Sequence, residues 1–233
     1  MVAKDNVLKN IEEPYNIWNI YGESGTGKTT LAIQFISNII RKSNYTHKCL
    51  WIQASERFPK KRVQTMFQND KQILRNLLTN TLIYPKSIIL SYKHLCQTIF
   101  YLSNLEESLP SNTKIIVIDN ISHNLRHFLH QFEKIADKVQ ILDDFFDNII
   151  LPLIFACERN RIKIIFIHEA TYNPKSNETE MFNNNLFSRI EAFNIELKYD
   201  IFKRKKNAIV FEDPTSKLSY NYEILEKGIS IID

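Results

Sequence analysis

Gly22, Glu23, Ser24, Gly25, Thr26, Gly27, Lys28 and Thr29 put three of the chain's four glycines, a lysine and a hydroxyl into eight consecutive residues. The spacing fits G-x-x-x-x-G-K-[ST], a loop able to cradle phosphates. Each residue type has a reason. Glycines let the backbone fold into a nest whose N–H groups point inward at phosphate oxygens. A helix starting behind the loop adds about half a positive charge at its N-terminus. Lys28 reaches the outer phosphates, Thr29 offers a hydroxyl to Mg²⁺, and Thr30 completes the contact set. The expected cofactors are ATP and Mg²⁺.

A second group belongs to the same chemistry. Asp119 ends the apolar run Ile115-Ile116-Val117-Ile118, about ninety residues after the loop. A carboxylate at the end of a buried strand can hold Mg²⁺ opposite Thr29, directly or through water. Lys28 and Asp119 are therefore the expected catalytic pair, and Thr29 and Asp119 the expected metal ligands.

These groups need a strand, a turn and a helix to position them. Residues 15–21 alternate like a strand, and residues 30–40 carry apolar residues at helical spacing with no Gly or Pro. Further buried strands are expected over 48–54, 114–119 and 162–168, and helices from Phe58-Pro59 onward, over 94–105 and through most of 123–160. His123, His127 and His130 recur there at helical spacing, but without a carboxylate or Cys to pair with them a metal face is the weaker reading. Residues 80–92 read equally as short strand or loop. Residues 171–187 are polar and Asn-rich, without pattern, and are expected to form a mobile loop. Residues 190–199, 208–211 and 219–225 read as antiparallel strands. Strands alternating with helices imply an α/β fold, a mostly parallel central sheet with helices on both faces and an antiparallel C-terminal edge. Ligand then sits at the carboxyl ends of the strands.

Composition narrows the setting. A chain of 233 residues suits one sizeable domain, with 1–14 as an N-terminal extension. Its 44% hydrophobic and 24% charged residues are ordinary for a globular protein, and a net charge of +4 permits nucleic-acid contact without demanding it. Cys49, Cys96 and Cys157 are few and scattered, which fits free thiols in a reducing compartment and no zinc site. No apolar run has the length of a membrane span, so an intracellular protein without a membrane partner is expected, nuclear if the source is eukaryotic.

The residues beyond Asp119 separate the ATPase classes. Asn120 stands where an AAA+ ATPase carries a catalytic Glu, no Leu-Ser-Gly-Gly-Gln stretch marks a transporter ATPase, and 120–160 lacks the Arg-rich lid of a small-molecule kinase. Residues Ile116 to Arg126 resemble instead the strand, turn and Arg of the RecA/RadA recombinase family. Trp51-Ile52-Gln53-Ala54-Ser55-Glu56-Arg57-Phe58-Pro59-Lys60-Lys61-Arg62 is similar to the second strand and Phe-Pro-x-Lys-Arg helix start of the eukaryotic recombinase paralogues. Residues Tyr222 to Ile229 resemble the family's final strand and turn.

The resemblance covers about residues 15–233. It implies a P-loop NTPase of RecA-like fold, 1–233 as a single ATP-binding domain, and a role in homologous-recombination DNA repair. The implied partners are a recombinase or recombinase-paralogue subunit and single-stranded DNA. Two places depart from the family. Ser55 stands where the family carries the Glu that polarises the attacking water, and strand alternation turns Glu56 to the opposite face unless a bulge returns it. The family's Gln after its fourth strand falls at Glu169. Both departures imply an ATP-binding assembly subunit with slow hydrolysis, with Glu56 as the one candidate catalytic carboxylate near that strand end. An active DNA-dependent ATPase and a P-loop ATPase unrelated to DNA are the alternatives. Lys203, Arg204, Lys205 and Lys206 form either a solvated hairpin turn or a contact to the DNA backbone.

Overall fold

Strand β1 (Ile17–Gly22) runs into the glycine loop, and helix α1 (Lys28–Lys42) leaves it. The computed structural model describes residues 15–104, 109–174, 177–200, 206–213 and 215–232. After α1 come β2 (Lys48–Gln53), α2 (Lys60–Met66), α3 (Lys71–Asn80), β3 (Thr81–Tyr84), α4 (Tyr92–Ser103), β4 (Thr113–Asp119) and α5 (Ile121–Leu129). The chain continues through α6 (Ile135–Phe145), a π-helical turn (Phe146–Ile150), α7 (Leu151–Arg159), β5 (Lys163–Asn173), β6 (Glu178–Met181) and the short α8 (Asn184–Phe187). Strands β7 (Phe193–Asp200), β8 (Lys206–Glu212), β9 (Lys217–Leu225) and β10 (Gly228–Ile231) close it.

The sheet order is β10-β9-β8-β7-β1-β5-β4-β2-β3, with β6 paired to β5. Strands β3, β2, β4, β5, β1 and β7 are parallel, and β8, β9 and β10 continue from β7 antiparallel. The expected α/β fold with an antiparallel edge is the observed one. It forms because the central strands are apolar on both faces. In β4, Ile115 and Val117 enter one core with Trp18, Ile20 and Leu31, while Ile116 and Ile118 enter the other with Leu95, Leu125 and Leu153. Continuous apolar strands of this kind need helices on both sides. Side-chain caps fix several helix starts: Asp70 accepts from the Ile73 N–H, Ser91 from the His94 N–H, and Asn120 from the Ser122 and His123 N–H groups.

Two expectations need correction. Residues 171–187 are not a patternless loop. β5 runs on to Asn173, turns, and pairs antiparallel with β6 in the register Ala170↔Met181 to Asn173↔Glu178. Met181, Leu186 and Phe187 are buried, and the Phe187 ring packs edge-on against Phe166 and His168. Of the paired residues only Met181 is buried, so the sequence lacks the apolar alternation by which a strand with one buried face is recognised. The second correction concerns the first tail strand, which is antiparallel only on one side; β7 pairs parallel with β1. Among the described residues, no helix is long and apolar enough to cross a membrane.

Candidate functional site

The glycine loop lies at the carboxyl end of β1, and close neighbours explain two of its glycines. A Cβ on Gly22 (φ +152°) would collide with the Leu197 carbonyl oxygen of β7. Gly27, at φ +95°, caps α1 in a left-handed conformation, and a Cβ there would meet the Ile224 side chain at 3.0 Å. Within the loop the Thr26 hydroxyl donates to the Glu23 carbonyl at 2.8 Å. Lys28 Nζ donates to the carbonyls of Gly22 and Glu23, both at 2.8 Å, so the ammonium is folded back over its own loop. Burial lowers the Lys28 pKa, against the opposing pull of Asp119, Glu169 and Glu23.

Asp119 ends β4 beside the loop and is 2% exposed. The Thr29 hydroxyl donates to its Oδ2 at 3.0 Å. Burial pushes the Asp119 carboxyl up to about 6, the Thr29 hydrogen bond and Lys28 pull it back, and the charge of Glu56 adds to the rise. The Lys28 charge offsets only part of that burial. Thr29 and Asp119 thus fit a divalent cation held between their oxygens, and hard oxygen donors suit Mg²⁺.

The loop, Asp119, Glu56, His123, Arg126 and Glu169 border a cavity of about 740 Å³. All the expected loop contacts from Gly22 to Thr30 except Thr26 line it; Thr26 is buried beneath. The expected orientation of Glu56 is corrected here. β2 ends at Gln53, and the N–H groups of Ala54 and Ser55 bend over to the Asp119 carbonyl at 2.8 and 3.1 Å. Strand alternation stops before residue 56, and Glu56 borders the cavity. The Ser55 hydroxyl accepts the Asn120 N–H at 3.2 Å, which ties it to the backbone after Asp119.

Glu169 is clamped. His123 Nδ1 lies 3.0 Å from Oε1, and Arg126 donates to Oε2 at 2.9 Å. Burial works to raise its pKa, but the hydrogen bonds and charges of His123 and Arg126 outweigh it and hold the carboxyl below its usual value. Arg126 also lies over the Phe182 ring at 4.9 Å, at the foot of the β5–β6 hairpin. Sequence reasoning gave His123 and Arg126 no role at the cavity. Their i, i+3 spacing on α5 was the available signal, since it puts both on one helical face. Among the described residues no group of three or more His, Cys, Asp or Glu side chains is placed to hold a metal ion, and His123, on α5, faces the Glu169 carboxylate instead. Lys203, Arg204 and Lys205 lie outside the described residues, and Lys206 opens β8 with its side chain outside them as well.

Beneath the cavity, His168 is fully buried. Its Nε2 faces Asn19 Oδ1 at 3.1 Å and its Nδ1 faces Ser122 Oγ at 3.4 Å. An amide oxygen only accepts, so Nε2 carries the proton and Ser122 donates to Nδ1. Burial, aided by the Lys28 charge, pushes the imidazole from 6.5 down to about 3. The unfolded chain therefore takes up a proton below pH 6.5 that the folded chain refuses until about pH 3. Stability from this group is complete above 6.5 and falls by about 1.4 kcal/mol per pH unit through that window. The wild-type melting temperature is expected to drop more steeply from about pH 6.5 to about pH 5 than that of His168→Gln; parallel profiles would remove this role.

The family model of the bacterial DnaA ATPase domain matches residues 1–141. The chain belongs to that family of ATPase domains. The match of this DnaA-type domain runs through the loop, Glu56, Asp119 and Asn120, so lack of an acid after Asp119 does not set the chain apart from it. The chain is also 26% identical over 158 residues to the DNA repair protein RAD57 of Saccharomyces cerevisiae, a match covering 60% of this chain and 34% of that protein. The alignment thus spans about a third of the relative's length. The crystal structure of the RadB recombinase superposes with a TM-score of 0.68 at 18% identity, over 93% of this chain and 90% of that one. The chain is thus similar in sequence, over that stretch, to RAD57, and similar in fold to RadB. The superposition with RadB covers more of the chain than the 141 residues of the DnaA-type match.

Proposed function

We propose that this chain binds ATP with Mg²⁺ in the cavity over the glycine loop and acts as a recombinase paralogue in homologous-recombination DNA repair. The observation that carries the reading is the Thr29–Asp119 pair beside the Lys28-bearing loop, which brings ammonium, hydroxyl and buried carboxylate to one cavity. Lys28 exchanges its two loop carbonyls for the outer phosphate oxygens, and the loop N–H groups take the inner ones. Thr29 and Asp119 hold Mg²⁺, which when bound neutralises charge on the phosphate oxygens. Residues 1–233 are read as one such domain, with 1–14 as an extension.

Hydrolysis is slow in this proposal. Ser55 is tied to Asn120, Glu169 is clamped between His123 and Arg126, and Glu56 is exposed with no hydrogen bond to it among the described residues. The ATP-bound state then favours assembly with a partner recombinase on single-stranded DNA, in line with the repair role in the name of RAD57 and the recombinase in that of RadB. Glu56 at the cavity favours a second reading, an active DNA-dependent ATPase. Co-sedimentation with a recombinase subunit on single-stranded DNA, with and without Mg²⁺–ATP, tests the proposal. A complex that needs ATP is expected, with turnover below about 1 s⁻¹. A chain that binds no Mg²⁺–ATP, or that assembles equally without it, would overturn the proposal; brisk DNA-stimulated turnover would favour the second reading.

A further inference from the structure

The last hairpin of the chain grips the glycine loop from behind. Tyr222, on β9 and fully buried, donates its hydroxyl to the Thr26 carbonyl at 2.7 Å. Next to that bond, Gly27 packs against the side chains of Ile224 on β9 and Ile229 on β10, which a Cβ there would crowd at 3.0 and 3.2 Å. The hairpin is itself fastened to the helix that leaves the loop. Gln34 of α1 accepts from the Ile229 N–H at 2.7 Å and donates to the Ile229 carbonyl at 3.0 Å. Gly228, at φ +124°, lets this side chain approach, since a Cβ there would lie 2.6 Å from Gln34 Cδ.

We infer that Tyr222 is a positioning residue for the phosphate loop, acting through the Thr26 carbonyl to set the direction of the loop's N–H groups. The inference rests on the proposed nucleotide site for its function and on the geometry alone for its mechanism. Thr26 and Gly27 share one peptide plane, so a bond that fixes the Thr26 oxygen also fixes the Gly27 N–H. The bond is buried and made to a side chain whose ring is packed in the core, so it holds the plane without help from solvent. A nest aimed in advance loses less freedom when phosphate enters. Ile224, by contrast, stands at the cavity wall and touches the loop only through apolar contact.

Tyr222→Phe removes the hydroxyl and keeps the ring. Binding of Mg²⁺–ATP and of Mg²⁺–tripolyphosphate is expected to weaken by the same factor, about three- to tenfold, the net worth of one hydrogen bond. In the ligand-free full chain, amide exchange across residues 24–28 is expected to rise. Ile209→Val, a buried change on neighbouring β8 that leaves the Tyr222 hydroxyl in place, serves as the control: it should lower the melting temperature and leave affinity and loop exchange unchanged. Unchanged affinity for both ligands in Tyr222→Phe would overturn the inference. A loss seen equally in Ile209→Val would also overturn it, as general destabilisation. Should the wild type bind neither ligand, the nucleotide reading fails, and loop exchange decides the role of Tyr222 alone: a rise confined to Tyr222→Phe supports it, and no rise refutes it.

Discussion

Replacing Lys28 by Ala is expected to abolish ATP binding in a protein that remains folded. The Lys28 ammonium sits at the cavity with two carbonyls as its partners, and both are loop groups that a phosphate can displace it from. Hydrogen bonds to charged groups contribute about 1.5–3 kcal/mol each, so losing two phosphate contacts costs about 3–6 kcal/mol. That is on the order of 10²–10⁴ in affinity. Ala at the first position of α1 favours the helix, and the core faces of α1 do not include residue 28, so the fold should persist. Calorimetric titration with Mg²⁺–ATP, alongside a thermal melt, checks both halves. Undiminished affinity in a folded Lys28→Ala protein would mean that the nucleotide binds elsewhere.

How much of this site the sequence displayed depends on how local each feature is. The loop was legible because glycine scarcity elsewhere isolates it, and because its flanking strand and helix carry opposite periodicities. Asp119 was legible because β4 is buried on both faces and ends abruptly in an acid. The clamp on Glu169 was not, since His123 and Arg126 meet it from another element, with forty or more residues between them. Tyr222 is further still, 196 residues from Thr26, and nothing in its own stretch shows that its hydroxyl faces a loop carbonyl. The β5–β6 hairpin failed for a different reason. In its paired arms, Ala170–Asn173 and Glu178–Met181, most residues are half-buried, and full burial is confined to Met181 and to Leu186 and Phe187 beyond it, too few to mark a period.

Glu56 is where strand logic misled, and it supports the second large expectation. Alternation places residues 55 and 56 on opposite faces only while the chain stays extended, and β2 stops at Gln53. Of the carboxylates at the cavity, Asp119 is bonded to Thr29 and Glu169 to His123 and Arg126. Glu23 lies in the loop, where its charge acts on Lys28, whereas the charge of Glu56 acts on Asp119. On the proposed nucleotide reading, Glu56 is the carboxylate left to draw a proton from water, and a slow one because it is exposed and no hydrogen bond among the described residues fixes it.

Glu56→Gln keeps the shape and removes the base. Turnover is expected to fall on the order of 10²-fold, the low end of a general base's contribution because no hydrogen bond fixes this side chain. That corresponds to about 2.7 kcal/mol of barrier. ATP affinity should be unchanged, because the loop, Thr29 and Asp119 are untouched. Ser55→Glu, in turn, should not accelerate hydrolysis, since residue 55 is turned to the Asn120 N–H rather than to the cavity. Single-turnover hydrolysis of ATP by the three proteins at saturating Mg²⁺ measures the effect without interference from product release. Equal rates in wild type and Glu56→Gln would show that water attacks without a base, and a rise in Ser55→Glu would return the role of the missing carboxylate to position 55.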